Sequence, residues 1–101
     1  MIESIYAIVK STRKNKMYAA EVGPNVGKTR IIHFGDSRYE QYKDSTPVKA
    51  YSHKDHSDPK RRKNYFMRHS GVANKTEAVK LEINKSNGKY NAKILSHKYL
   101  W

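Results

Sequence analysis

The residues best suited to chemistry fall in short stretches of three kinds. His53-Lys54-Asp55-His56-Ser57-Asp58 gathers imidazoles and carboxylates within one segment. Both groups bind zinc or manganese, so His53, Asp55 and His56 form the least implausible nucleus for a metal-dependent nuclease. Against this, Lys54 sits inside the group, the composition is that of a loop, and His33, His69 and His97 are the only obvious more distant ligands. No metal and no other cofactor is expected. Gly23-Pro24-Asn25-Val26-Gly27-Lys28-Thr29 resembles a phosphate-binding loop at first sight. The glycines are one residue too close together, and the next residues read as a strand where the motif opens a helix; a Gly-Pro turn is sufficient. The serines show no nucleophile elbow, and no Asp and His stand at a telling spacing. The expectation is a protein that is not an enzyme.

The third stretch type is basic. The chain carries 21 Lys and Arg against 9 Asp and Glu, a formal charge of +12. Such an excess repels itself in a compact state and needs a reason, commonly nucleic acid, an anionic membrane surface or an acidic protein partner. Lys10, Arg13, Lys14 and Lys16 cluster on or beside one polar turn, and Lys60-Arg61-Arg62-Lys63 with Arg68 cluster on one helix. The residues expected to meet a polyanion are Arg13, Lys14, Lys16, Lys60, Arg61, Lys63 and Arg68. Nucleic acid, bound through its phosphates, is the first expectation, with the interleaved tyrosines able to stack on unpaired bases. An acidic protein surface is the alternative, because charge alone does not separate the two. Pro59-Lys60-Arg61-Arg62-Lys63 also has the composition of a nuclear import signal.

A length of 101 residues provides one core and no second one. Eight Tyr, two Phe and one Trp supply the apolar area that a disordered basic tail lacks. The absence of Cys excludes disulfides, thiolate zinc sites and cysteine nucleophiles, and fits a reducing compartment. The apolar run after Ser4 is too short for a signal-peptide core or a membrane span, so a cytosolic or nuclear location is expected.

These groups must be positioned by a small α+β domain. Residues 4–10 alternate as a strand, with Ile5, Ala7 and Val9 on one face and Tyr6 and Ile8 on the other. Ser11–Lys16 is a polar turn, Met17–Val22 a second strand, residues 23–27 a turn, and Lys28–Phe34 a third strand. Residues 1–34 thus form an antiparallel meander. Residues 35–57 make a tyrosine-rich connection, packed down by Tyr39, Tyr42 and Tyr51. Asp58-Pro59 starts a central basic helix that runs to about His69 and stops at Ser70-Gly71.

On that helix Arg62, Tyr65, Phe66 and His69 share one face, and Lys60, Arg61, Lys63, Asn64, Met67 and Arg68 point the other way. A half-buried Arg62 requires a carboxylate, and Asp36, Asp44 and Asp55 are the candidates. An internal pair that locks the connection onto the helix is expected, with His69 in the same network. The other reading is a site for an anion. In the C-terminal unit, residues 71–101, apolar residues alternate on both sides of Asn87-Gly88, which favours a hairpin. The alternative is two helices, one starting near Thr76-Glu77 and ending at Gly88, the other capped by Asn91. Tyr99-Leu100-Trp101 is too apolar to remain in water and should dock on the core.

One further reading rests on likeness. His33-Phe34-Gly35-Asp36, Tyr39, Tyr42, Lys43-Asp44, His53, Asp55-His56, Asp58, Arg61-Arg62, Tyr65, Arg68-His69, Leu95-Ser96 and Tyr99-Leu100-Trp101 resemble the pattern of a family of small basic proteins. These are encoded by nucleocytoplasmic large double-stranded DNA viruses, the giant viruses of algae and protists. The likeness spans about residues 33–101 and brings no assigned activity. It implies a viral protein of the virion or of the virus factory, in host cytoplasm or nucleus. Either it neutralises a packaged genome, or it is a minor capsid or internal-shell protein bridging larger components. It also implies a motif role for Arg62 and His69.

Overall fold

Apolar alternation broken by turn residues yields three strands in the first third of the chain. The computed structural model describes residues 3–101, so Met1 and Ile2 of the expected meander lie outside the described residues. Strands β1 (Ser4–Lys10), β2 (Lys16–Asn25) and β3 (Lys28–Asp36) form an antiparallel sheet in the order β1-β2-β3. The central strand contributes most to the core, with Met17, Tyr18, Ala20 and Val22 buried. The expected turn over residues 23–27 shrinks to Val26-Gly27, because β2 continues to Asn25, which pairs with Lys28. Gly23 allows this: a Cβ there would lie 1.9 Å from the Lys28 carbonyl oxygen. Lys28 accordingly opens a strand, which leaves no helix for a phosphate loop.

The plain alternation expected of β1 fails at one position. Its register against β2 shifts between Ile5 and Ala7, so Tyr6 forms a bulge. Ile5 and Ile8 therefore both pack on the core, opposite Val22 and Ala20, while Ala7 and Val9 face away.

Helix α1 (Pro59–Ser70) starts and stops where its signals predict. The Asp58 carboxylate accepts from the amides of Lys60 and Arg61, and Gly71 ends the helix at φ 73°. The C-terminal hairpin does not form. Residues Lys75–Lys85 are helix α2, and Ala92–Tyr99 are helix α3. The side chain of Asn74 caps the first and that of Asn91 the second. Asn87 and Gly88 have the positive φ values of a tight hairpin turn, but here they close a helix end, with the Gly88 amide donating to the Ile83 carbonyl at 3.0 Å.

The α+β domain has two apolar clusters. One lies between the inner face of the sheet and α3, around Tyr18, Phe34, Ile94, Leu95 and Leu100. The other joins α1 to α2 through Tyr65, Phe66 and Ala78. Trp101 packs against both, so the C-terminal residues dock as expected. Among the described residues no helix is long and apolar enough to cross a membrane.

Candidate nucleic-acid interface

The connection between β3 and α1 is ordered mainly by two carboxylates. Asp44 is buried and accepts from the Tyr18 hydroxyl, from the amide and hydroxyl of Thr46 at 3.0 and 2.6 Å, and from the Tyr51 amide at 3.1 Å. Burial opposes its ionisation, but the hydroxyls of Thr46 and Tyr18 and the amides outweigh this and hold its carboxyl below the usual range. Asp55 accepts from the Gln41 side chain at 2.6 Å and from the Asp44 amide at 2.8 Å. Tyr51 packs edge-on against Tyr18, and Tyr42 edge-on against His56. Tyr39 is different: it stays 64 % exposed and holds nothing down.

With these acids engaged, the expected Arg62 ion pair has no partner. Asp36 is held by Arg38 at 2.8 Å, which lowers its pKa to about 2. Asp44 and Asp55 accept from the connection itself. The Arg62 guanidinium lies instead over the Tyr42 ring, 4.7 Å from its centroid, and 6.0 Å from that of Phe66. A cation over aromatic faces keeps its charge and sheds little hydration, which suits a half-buried arginine. Arg62 still fastens the connection to α1, by a ring in place of a carboxylate. His69 joins no Arg–Asp network. Its ring sits 4.5 Å from that of Tyr65 at the edge of a cleft. Burial, with Arg68 and Lys93 nearby, pushes its pKa down.

A polar chain invisible in the sequence crosses the helices. His97 is fully buried; its Nδ1 meets the Tyr65 hydroxyl at 2.8 Å and its Nε2 the Ser70 hydroxyl at 2.7 Å. Ser70 in turn donates to Glu82 at 2.8 Å. One proton assignment satisfies every bond: Tyr65 donates to Nδ1, Nε2 donates to Ser70, and Ser70 donates to Glu82. It requires a neutral His97, and burial does push that imidazole down to about 4. The order also differs from a nucleophilic triad, in which the acid orients the histidine and the histidine takes the serine proton. Here the acid accepts from the serine. At the N-terminal end Glu3 accepts from Arg30 and from the Tyr90 amide, an internal pair that sequence reasoning also missed. Arg30 holds the Glu3 carboxyl below its usual value.

The residues of the metal reading separate. The Nδ1 atom of His56 accepts from the Asp58 amide, and Asp55 is engaged by Gln41 and the Asp44 amide. The His53 ring leans on Tyr51. Among the described residues no group of His, Asp or Glu side chains is placed to hold a metal ion.

Because the acids serve the interior, the surface is more cationic than the composition. Of 21 Lys and Arg, all but Lys54, Arg62 and Lys75 are exposed; of 9 Asp and Glu, only Glu40 and Glu77 are. The seven cations expected at the interface are exposed without exception. Arg13 and Lys14 stand on the β1–β2 turn next to Lys16. Lys60 and Lys63 stand on the outer face of α1. Arg61 is partly neutralised by Glu40, 3.0 Å away. Lys16 and Arg68, far apart in the chain, come to one open cleft of about 560 Å³, joined there by Lys93 of α3. Tyr39, Tyr65, His69 and Trp101 provide its aromatic lining. Sequence alone cannot place Lys93 at a site, since it leaves α3 itself undecided.

Residues 6–69 match a family of unknown function (DUF5754), which spans the sheet, the connection and α1, and the chain belongs to that family. No curated protein and no solved structure matches the chain.

Proposed function

We propose that this member of the DUF5754 family binds nucleic acid through the phosphate backbone and carries out no chemistry of its own. The observation that carries the reading is the sorting of charge: carboxylates are drawn into the fold, and nearly all cations are left outside. A merely solvated charge run does not need its counter-charges removed from the surface. The cations of the β1–β2 turn and of α1 supply sequence-independent phosphate contacts, which position a strand or duplex without reading bases.

The test is titration of the full chain with duplex DNA of arbitrary sequence at several salt concentrations. If six to ten phosphates are neutralised, affinity falls by roughly 10³–10⁵ between 50 and 200 mM salt. Affinity unchanged up to about 0.5 M salt, or no binding at low salt, overturns the reading. On the resemblance to small basic proteins of giant viruses, we extend the proposal to a setting in a virion or a virus factory. Fractionation of purified particles tests that: recovery with the genome-containing core supports it, and recovery with the outer shell supports a minor capsid role in its place.

A further inference from the structure

The open cleft where β2, β3, α1 and α3 meet combines features that phosphate binding alone does not use. Its three cations, Lys16, Arg68 and Lys93, stand beside an aromatic lining, with the Lys93 ammonium also 3.8 Å from the Glu82 carboxylate and donating to the His69 carbonyl at 3.3 Å. Its two acids are occupied elsewhere, Asp36 by Arg38 and Glu40 by Arg61. Tyr39 reaches the rim from a turn closed by its own amide on the Asp36 carbonyl, and its ring is 64 % exposed. Deeper in, Trp101 lies parallel to Tyr65 at 4.1 Å, which fixes the indole by stacking. Gln41 also lines the cleft; it is buried, its amide nitrogen is bonded to Tyr51 and Asp55, and its Oε1 atom has no partner.

We infer that this cleft takes one unpaired nucleobase, with Lys16, Arg68 and Lys93 holding the flanking phosphates and Tyr39 and Trp101 forming the aromatic walls. The inference rests on the nucleic-acid reading and narrows it to single-stranded segments, since a paired base cannot leave its stack to enter without opening the duplex. The volume lies within the range of small-ligand sites and admits a nucleotide. Stacking is tolerant of base identity, so preference among the bases is weak.

The experiment compares three probes carrying equal numbers of phosphates at one salt concentration: a single-stranded oligonucleotide, its duplex, and the same strand with abasic sites throughout. Trp101 is the only tryptophan, so its emission reports occupancy of the cleft directly. The single strand should bind most tightly and change that emission, while the abasic strand and the duplex should leave it unmoved. Tyr39→Ala, at an exposed position, should weaken single-strand binding about tenfold and leave duplex affinity unchanged. Equal affinity for all three probes with unmoved emission overturns the base site while leaving phosphate binding intact. No binding to any probe at low salt overturns both readings.

Discussion

The Tyr18 hydroxyl donates to the Asp44 carboxylate, 26 residues further along the chain, and both side chains are shielded from solvent. The same hydroxyl accepts from the Ala50 amide at 2.9 Å. One phenol thus ties the central strand of the sheet to a connection that has no sheet or long helix of its own.

Removing either partner should have unequal consequences. Asp44→Ala leaves the hydroxyls of Tyr18 and Thr46 and the amides of Thr46 and Tyr51 without an acceptor, and should destabilise by on the order of 3–5 kcal/mol. Tyr18→Phe keeps the ring packing and leaves Asp44 its other donors, so it should cost about 1–2 kcal/mol. Urea denaturation of both variants measures the difference.

His97 should make the protein acid-sensitive before its carboxylates do. Its imidazole is held neutral down to about pH 4 in the fold, against about 6.5 when unfolded. The folded pKa is the lower one, so the unfolded chain binds the proton first as pH falls. Stability is therefore fully present above about 6.5 and is lost as pH falls toward 4, by on the order of 3 kcal/mol. His97→Gln can accept from Tyr65 and donate to Ser70, and should flatten this stretch of a stability-against-pH curve. The residual slope belongs to His56 and His69, whose pKa values burial also lowers.

Gly23 and Gly71 should respond differently to alanine. At Gly23 the added Cβ would overlap the Lys28 carbonyl of the neighbouring strand, so the hairpin must distort, at a cost of about 3 kcal/mol or more. At Gly71 nothing lies within 4 Å and only the left-handed backbone is strained, at a cost of about 1 kcal/mol. Thermal unfolding of the two variants distinguishes steric from conformational need.

Neutralising interface cations should change the salt dependence of duplex binding. Lys63→Gln and Arg68→Gln should each reduce the slope of log affinity against log salt by about 0.9, one phosphate contact apiece. Arg61→Gln should reduce it less, because Glu40 already offsets that charge. The same titrations at several salt concentrations provide all three slopes.

How far the residues announce their places differs by region. Asp58-Pro59 and Gly71 are local signals with local causes, and they locate α1 to within a residue at either end. The three strands are legible from alternation, except where the Tyr6 bulge shifts the phase, and a bulge leaves no mark in apolar periodicity. Asn87-Gly88 is ambiguous because two positive-φ residues serve a hairpin and a helix end alike. The buried polar residues Glu3, Glu82 and His97 are illegible, since a charged or imidazole side chain reads as surface until its partners are known. One clue exists: Glu82 stands four residues after Ala78, on the helix face that turns inward. The exposed cations of the candidate interface are plain from composition, whereas the cleft that joins Lys16, Arg68 and Lys93 exists only after α3 has docked.

The bond from the Tyr90 amide to Glu3 spans 87 residues. Closing so long a loop forfeits chain entropy before any contact rewards it. The sheet's first strand is thus secured by a segment that emerges from the ribosome 87 residues after Glu3. Folding of this small domain should be a single late, slow event rather than a progression from its N-terminal hairpin, and a nascent chain halted before residue 90 would have Arg30 but not the Tyr90 amide to meet the Glu3 carboxylate.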